Sequence, residues 1–168
     1  MSELENECPV VHLLPGKVHL ALSPSILTTL LGSCVACTFW NARLGIGALC
    51  HGVLPRLPTA VQASERYHYV DFAIRDLLQQ FDQLGTLRNE VAVKVFGGAD
   101  VLRLPATTPA RMTVGQQNCQ VALEVLRNER IQLIAADMGG VVGRTISFNT
   151  GNGEVLVRRL SRNNGAPW

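Results

Sequence analysis

Charge is scarce in this chain of 168 residues, and so are aromatics: Asp, Glu, Lys and Arg make up 17% of it, and Phe, Trp and Tyr 5%. The formal net charge is only +2, and the basic residues are scattered, with no run and no interleaved aromatics. That excludes the electrostatic footprint of a nucleic-acid binder. No apolar stretch approaches the roughly 18 residues of a membrane span, so membrane insertion is not expected. The opening residues, Met1 to Glu7, are acidic and polar, the opposite of a secretory signal peptide, and point to a cytoplasmic protein. The cysteines number five, at positions 8, 34, 37, 50 and 119. An odd count without a secretory signal speaks against a disulfide framework, so reduced thiols are expected. Repeats, low-complexity segments and long linkers are all missing.

What is present is apolar: 47% of the residues are hydrophobic, enough for a sizeable core. The length suits a single domain over 1–168, with flexible ends at 1–7 and 163–168. The first third reads as strands at Val10 to Leu14, Val18 to Leu22 and Ile26 to Leu31. A hairpin follows, with strands Val35 to Trp40 and Ile46 to Leu54 around an Asn41-Ala42-Arg43 turn. Ser64 is the expected N-cap of a long helix that ends at Gly85, with Val70, Ile74, Leu77, Leu78, Phe81 and Leu84 on its apolar face. Val91 to Phe96 alternates as a strand and runs into Gly97-Gly98. After a loop carrying Pro105 and Pro109, Thr113 starts a second helix. Ile131 to Ala136 reads as a buried strand. Arg144 to Asn149 and Glu154 to Leu160 form a hairpin around Thr150-Gly151-Asn152-Gly153. This order predicts an α+β fold with two helices covering mixed or antiparallel sheet.

One constellation carries chemistry. Gly32-Ser33-Cys34 stands at the entrance of the first hairpin strand, and His51 lies on the return strand. A thiol beside an imidazole is the pairing that nucleophilic catalysis needs, and a neighbouring histidine can hold a thiol ionised at neutral pH. On that reading Cys34 is the cysteine alkylated fastest. The backbone around Gly32 and Ser33 can aim amide groups at an oxyanion. Thr28, on the preceding strand, carries a hydroxyl suited to orienting the imidazole. Composition alone favours a buried structural cysteine, and it is the glycine, the histidine and the threonine around Cys34 that turn the reading toward chemistry.

A metal site is the rival, since Cys34-x-x-Cys37 and Cys50-His51 look like ligand pairs. Side chains three apart or adjacent on a strand point to opposite faces, so these pairs diverge. No metal is expected, and Cys37 and Cys50 are expected in the core. Asp137 is expected to pair with Arg144.

Leu31-Gly32-Ser33-Cys34-Val35, Gly45-Ile46-Gly47 through His51 and Leu54-Pro55 resemble the signature of CheD, the chemoreceptor glutamine deamidase family. The resemblance continues through Tyr69-Val70-Asp71, Lys94-Val95-Phe96-Gly97-Gly98-Ala99, Gly115 and Asn118. It ends with Asp137, Gly139-Gly140, Gly143-Arg144 and Gly153 to Arg158. It implies a layered α/β/β/α-type fold related to deamidating toxins, and a Cys-His-Thr triad at Cys34, His51 and Thr28. Ungapped spacing back from the cysteine selects Thr28 over Thr29. It also implies hydrolysis of receptor glutamines to glutamate through a thioester, without a cofactor. The implied partners are chemoreceptors and a CheC-type phosphatase; the alternative is an adaptor that binds both with little turnover. Three positions depart from the family pattern: Gln117 replaces an arginine, Arg130 the glycine closing the second helix, and Cys50 the residue before the histidine.

Overall fold

The computed structural model describes residues 7–102, 107 and 111–161. The ends expected to be flexible, apart from Glu7, and the loop residues Pro105 and Pro109 lie outside these. Nine strands and two α-helices follow one another as β1 (Val10–His12), β2 (Val18–Ala21), β3 (Ile26–Leu31), β4 (Val35–Asn41), β5 (Ile46–Gly52), α1 (Val70–Gln83), β6 (Ala92–Gly97), α2 (Val114–Asn128), β7 (Leu133–Met138), β8 (Arg144–Asn149) and β9 (Val155–Arg159). The strands form two sheets, one in the order β1-β3-β8-β9 and the other in the order β2-β5-β4-β6-β7. Both are mixed: β1 runs parallel to β3 and β6 parallel to β7, while the remaining pairs are antiparallel. The expected α+β architecture is present.

Strand alternation builds the layers. On the five-stranded sheet, Val35, Cys37, Phe39, Ala48, Cys50, Val93 and Val95 face one core, which they share with both helices. Ala36, Leu49 and Phe96 face the other way, onto Leu27, Leu31, Ile146 and Phe148 of the four-stranded sheet. Among the described residues the order of layers is therefore helices, five-stranded sheet, four-stranded sheet. The apolar face of α1 (Val70, Ala73, Ile74, Leu77, Leu78 and Phe81) is buried, and Phe81 packs against Phe39 with ring centroids 6.1 Å apart. Each of these side chains larger than alanine contributes roughly 1.5–3 kcal/mol by leaving water.

Two local features depart from the sequence reading, and a third bears out a departure from the family pattern. The helix expected from Ser64 begins at Val70 instead, because Tyr69 is drawn into an extended bridge with Leu54. Residues Ala63–His68 wind as a short 3-10 helix, and the His68 carbonyl accepts from both Val53 N–H and Leu54 N–H. The strand expected to be buried near Ile131 is β7, an edge strand paired only with β6, and Ile134 on it is 53% exposed. An apolar run looks alike at a sheet centre and at an edge, so sequence does not separate them. Finally, α2 is closed by Arg130 in the left-handed region, φ 57°, the position a glycine ordinarily takes. Its start is as expected: the Thr113 hydroxyl accepts from Gln116 N–H in a capping box.

Candidate active site

The β4–β5 hairpin registers Ala36 opposite His51 and Val35 opposite Gly52. Residues directly opposite share a face, so His51 points with Ala36 into the space between the sheets, away from Cys50. Cys34 lies two residues before Ala36 and packs against the same inter-sheet cluster. Cys34 stands just before β4 and His51 just before the end of β5, so both lie toward the same end of the hairpin and on the inter-sheet side. Cys37 and Cys50 are partners across the ladder and are buried on the helix side, as expected of core residues. Among the described residues, no group of three or more His, Cys, Asp or Glu is placed to hold a metal ion.

The threonine on the imidazole is Thr29. Its Oγ1 lies 2.7 Å from His51 Nδ1 and donates to the Leu13 carbonyl at 2.7 Å. Thr28, the expected orienter, faces away: its hydroxyl donates to the Ile146 carbonyl at 2.8 Å and lies 3.4 Å from Ser147 Oγ. The reason is the parity of β3. Leu27, Thr29 and Leu31 face the second sheet, whereas Thr28 shares a face with Leu30, which is 58% exposed. Leu27 and Leu31 both being core residues is the signal that selects Thr29.

The Thr29 contact determines which nitrogen of the ring carries a proton. A hydroxyl has one proton, and a carbonyl can only accept. The Thr29 proton therefore goes to Leu13, and His51 must donate from Nδ1. Nε2 is left as the lone-pair nitrogen, buried and without a hydrogen-bond partner among the described residues. Burial lowers the imidazole pKa from 6.5 to about 4. Burial also raises the Cys34 thiol, partly opposed by its own backbone amide. Both shifts favour the neutral forms, an unionised thiol and an uncharged imidazole, where the sequence suggests an ionised pair.

The nucleophile loop is held through its carbonyls. Ala99 N–H donates to the Gly32 carbonyl at 2.9 Å and Gly98 N–H to the Cys34 carbonyl at 2.8 Å. Such close approach needs glycine at position 97: a Cβ there would meet the Cys34 carbonyl oxygen at 2.2 Å, and its φ is +105°. The Ser33 carbonyl accepts from the side chain of Asn118 at 3.0 Å. Asp137 and Arg144 pair with each other as expected; Arg144 is buried, reaches the Gly139 carbonyl as well, and Arg159 joins the same carboxylate. Gln117 donates to the Met112 carbonyl at 2.9 Å.

Comparison with known proteins places this arrangement. The family model described as CheD chemotactic sensory transduction matches residues 53–159. The chain belongs to the CheD family. The match begins two residues after His51; relatives that align over nearly the full length also cover the segment with Cys34 and His51. "Probable chemoreceptor glutamine deamidase CheD 2" of Geobacter sulfurreducens is 38% identical over 96% of this chain and 97% of its own. "Probable chemoreceptor glutamine deamidase CheD" of Maridesulfovibrio salexigens is 34% identical over 96% and 98%. The protein of the same name from Pseudomonas savastanoi pv. phaseolicola is 38% identical over 86% and 81%. As a CheD protein, this chain combines a half-buried thiol, a buried imidazole of fixed tautomer and a backbone-clamped loop in one inter-sheet corner. No helix among its described residues is long and apolar enough to cross a membrane.

Proposed function

We propose that the protein hydrolyses glutamine side chains of methyl-accepting chemotaxis receptors to glutamate, acting on their cytoplasmic portions. Cys34 Sγ attacks the carboxamide carbon while His51 Nε2 takes the thiol proton. The carbonyl oxygen becomes an oxyanion held by the backbone N–H groups of Ser33 and Cys34, a kind of contact worth roughly 3–4 kcal/mol per donor elsewhere. The imidazolium gives its proton to the nitrogen as the C–N bond breaks, releasing ammonia and leaving a thioester. A water, deprotonated by His51, then cleaves the thioester to glutamate and regenerates the thiol.

The observation that carries this reading is the Thr29 hydroxyl committed to the Leu13 carbonyl, which leaves His51 Nε2 free to act as base. The relatives' printed names supply the substrate class. The orienting role falls to Thr29. The test is mass spectrometry of a purified receptor cytoplasmic fragment before and after incubation. New glutamates at glutamine positions, absent with Cys34→Ala, support the reading. Tight receptor binding with no conversion overturns it in favour of an adaptor that engages receptors and a CheC-type phosphatase.

A further inference from the structure

Asn118, in the first half of α2, is fully buried, and its amide group reaches two main-chain carbonyls at once. Nδ2 donates to Ser33 O at 3.0 Å and to Val53 O at 3.0 Å. Ser33 precedes the thiol residue, and Val53 lies two residues after His51. One NH₂ group, with both protons used, therefore ties the loop of the nucleophile to the strand of the base.

The outcome for the loop follows from peptide geometry. In a trans peptide the C=O and the N–H point in opposite directions, and the described residues contain no cis bond. Three successive carbonyls of the loop are captured, at Gly32, Ser33 and Cys34. The outer two are held by main-chain N–H groups of Ala99 and Gly98. The middle one is held by a side chain alone. That middle peptide is the one whose N–H belongs to Cys34.

We propose that Asn118 is a positioning residue for the oxyanion site, holding the Ser33–Cys34 peptide plane so that the Cys34 N–H faces the reacting carbonyl. The inference rests on the deamidase reading above and deepens it. Without Asn118 the Ser33 carbonyl has no fixed partner. Rotation of the peptide then removes a donor from the oxyanion and can turn an acceptor toward it. Asn118 Oδ1 is buried without a partner. A side chain kept only for packing would not carry that unpaired oxygen, since an apolar group of the same shape avoids the desolvation penalty.

The test separates oxyanion stabilisation from packing. Asn118→Leu has a similar shape and donates nothing. Two rates are compared with wild type: conversion of glutamine in a purified receptor cytoplasmic fragment, and alkylation of Cys34 by iodoacetamide. Alkylation is a displacement at saturated carbon and forms no oxyanion. The expected result is kcat down about 10²–10³-fold, with KM and Cys34 alkylation each within about threefold of wild type. Near-wild-type kcat overturns the inference, and so does an equal loss in both rates, which marks a packing role. If Asn118→Leu does not fold, as judged by its thermal transition, the same comparison is made with Asn118→Ser, which admits a water beside the carbonyls. Wild-type protein that leaves every receptor glutamine unconverted refutes the deamidase reading itself; conversion by wild type and by the variant alike refutes only the role of Asn118.

Discussion

The Thr29 hydroxyl bonds His51 across the gap between the two sheets, and because its own proton is given to Leu13 it acts on the ring purely as an acceptor. Which nitrogen of the ring carries the proton is thus set by a residue of the other sheet.

Thr29→Ala is expected to lower glutamine conversion by roughly two to four orders of magnitude, the range seen when a histidine loses its tautomer-fixing partner. Thr29→Ser keeps the hydroxyl and most of the rate. Thr28→Ala loses a hydrogen bond to Ile146 on the far face and is expected to cost about 1 kcal/mol of stability with little loss of rate. Turnover on a receptor fragment and thermal unfolding of the three variants check this; an inactive Thr28→Ala beside an active Thr29→Ala reverses the assignment.

The buried imidazole makes stability depend on pH. His51 titrates at about 4 when folded and near its ordinary 6.5 when unfolded, so between these values the unfolded chain binds the extra proton. Stability therefore falls as pH drops from about 6.5 toward 4, by about 3 kcal/mol at most from this group. Urea unfolding across that window should show a shallower dependence in His51→Gln than in wild type. The same value places the acidic limb of kcat/KM near pH 4, since Nε2 must be unprotonated to act.

Alkylation distinguishes the neutral pair from an ion pair. Cys8 is exposed, whereas burial raises the Cys34 thiol. Near neutral pH iodoacetamide is expected to label Cys8 ahead of Cys34 in the free protein. Labelling of Cys34 should climb about tenfold per pH unit, as for any unionised thiol. A Cys34 rate that is already high and flat from pH 6 to 8 would show a resting thiolate instead.

Arg130 closes α2 at φ 57°, is exposed, and holds a left-handed conformation that costs a residue with a side chain about 1–2 kcal/mol. Arg130→Gly relieves that strain at some cost in chain entropy. The net gain is expected to be about 0.5–1 kcal/mol, seen as a Tm increase of about 1–4 °C by calorimetry. An unchanged or lower Tm removes the strain argument.

Much of this architecture is legible in the sequence because it rests on local signals. The Thr150–Gly153 turn, the hairpin around Asn41-Ala42-Arg43, the stop at Gly85 and the Thr113 cap are all short-range. That Cys34 and His51 lie toward the same end of the hairpin follows from its register. What escapes is long-range. Ile26-Leu27-Thr28-Thr29-Leu30-Leu31 has two apolar residues on each side of its threonines, so either parity looks buried until the second sheet is in place. The start of α1 is moved by a bridge to Leu54, which no helical signal near Ser64 can report. The protonation of Cys34 and His51 depends on how deeply the two sheets enclose them, and the dual grip of Asn118 joins segments 85 and 65 residues away.

Backbone meets backbone where α2 begins. A Cβ on Gly98 would lie 2.8 Å from the Gly115 carbonyl oxygen and 2.0 Å from Cys119 Sγ, and one on Gly115 would lie 2.6 Å from the Gly98 carbonyl oxygen. Side chains usually cushion a helix against the sheet beneath it and absorb small displacements by changing rotamer. Here Gly98 and Gly115 meet without such a cushion, with the Cys119 thiol packed beside them, and Gly98 N–H is the group that bonds the Cys34 carbonyl. A side chain at either glycine would therefore have to move α2 away from the main chain that holds the Cys34 carbonyl.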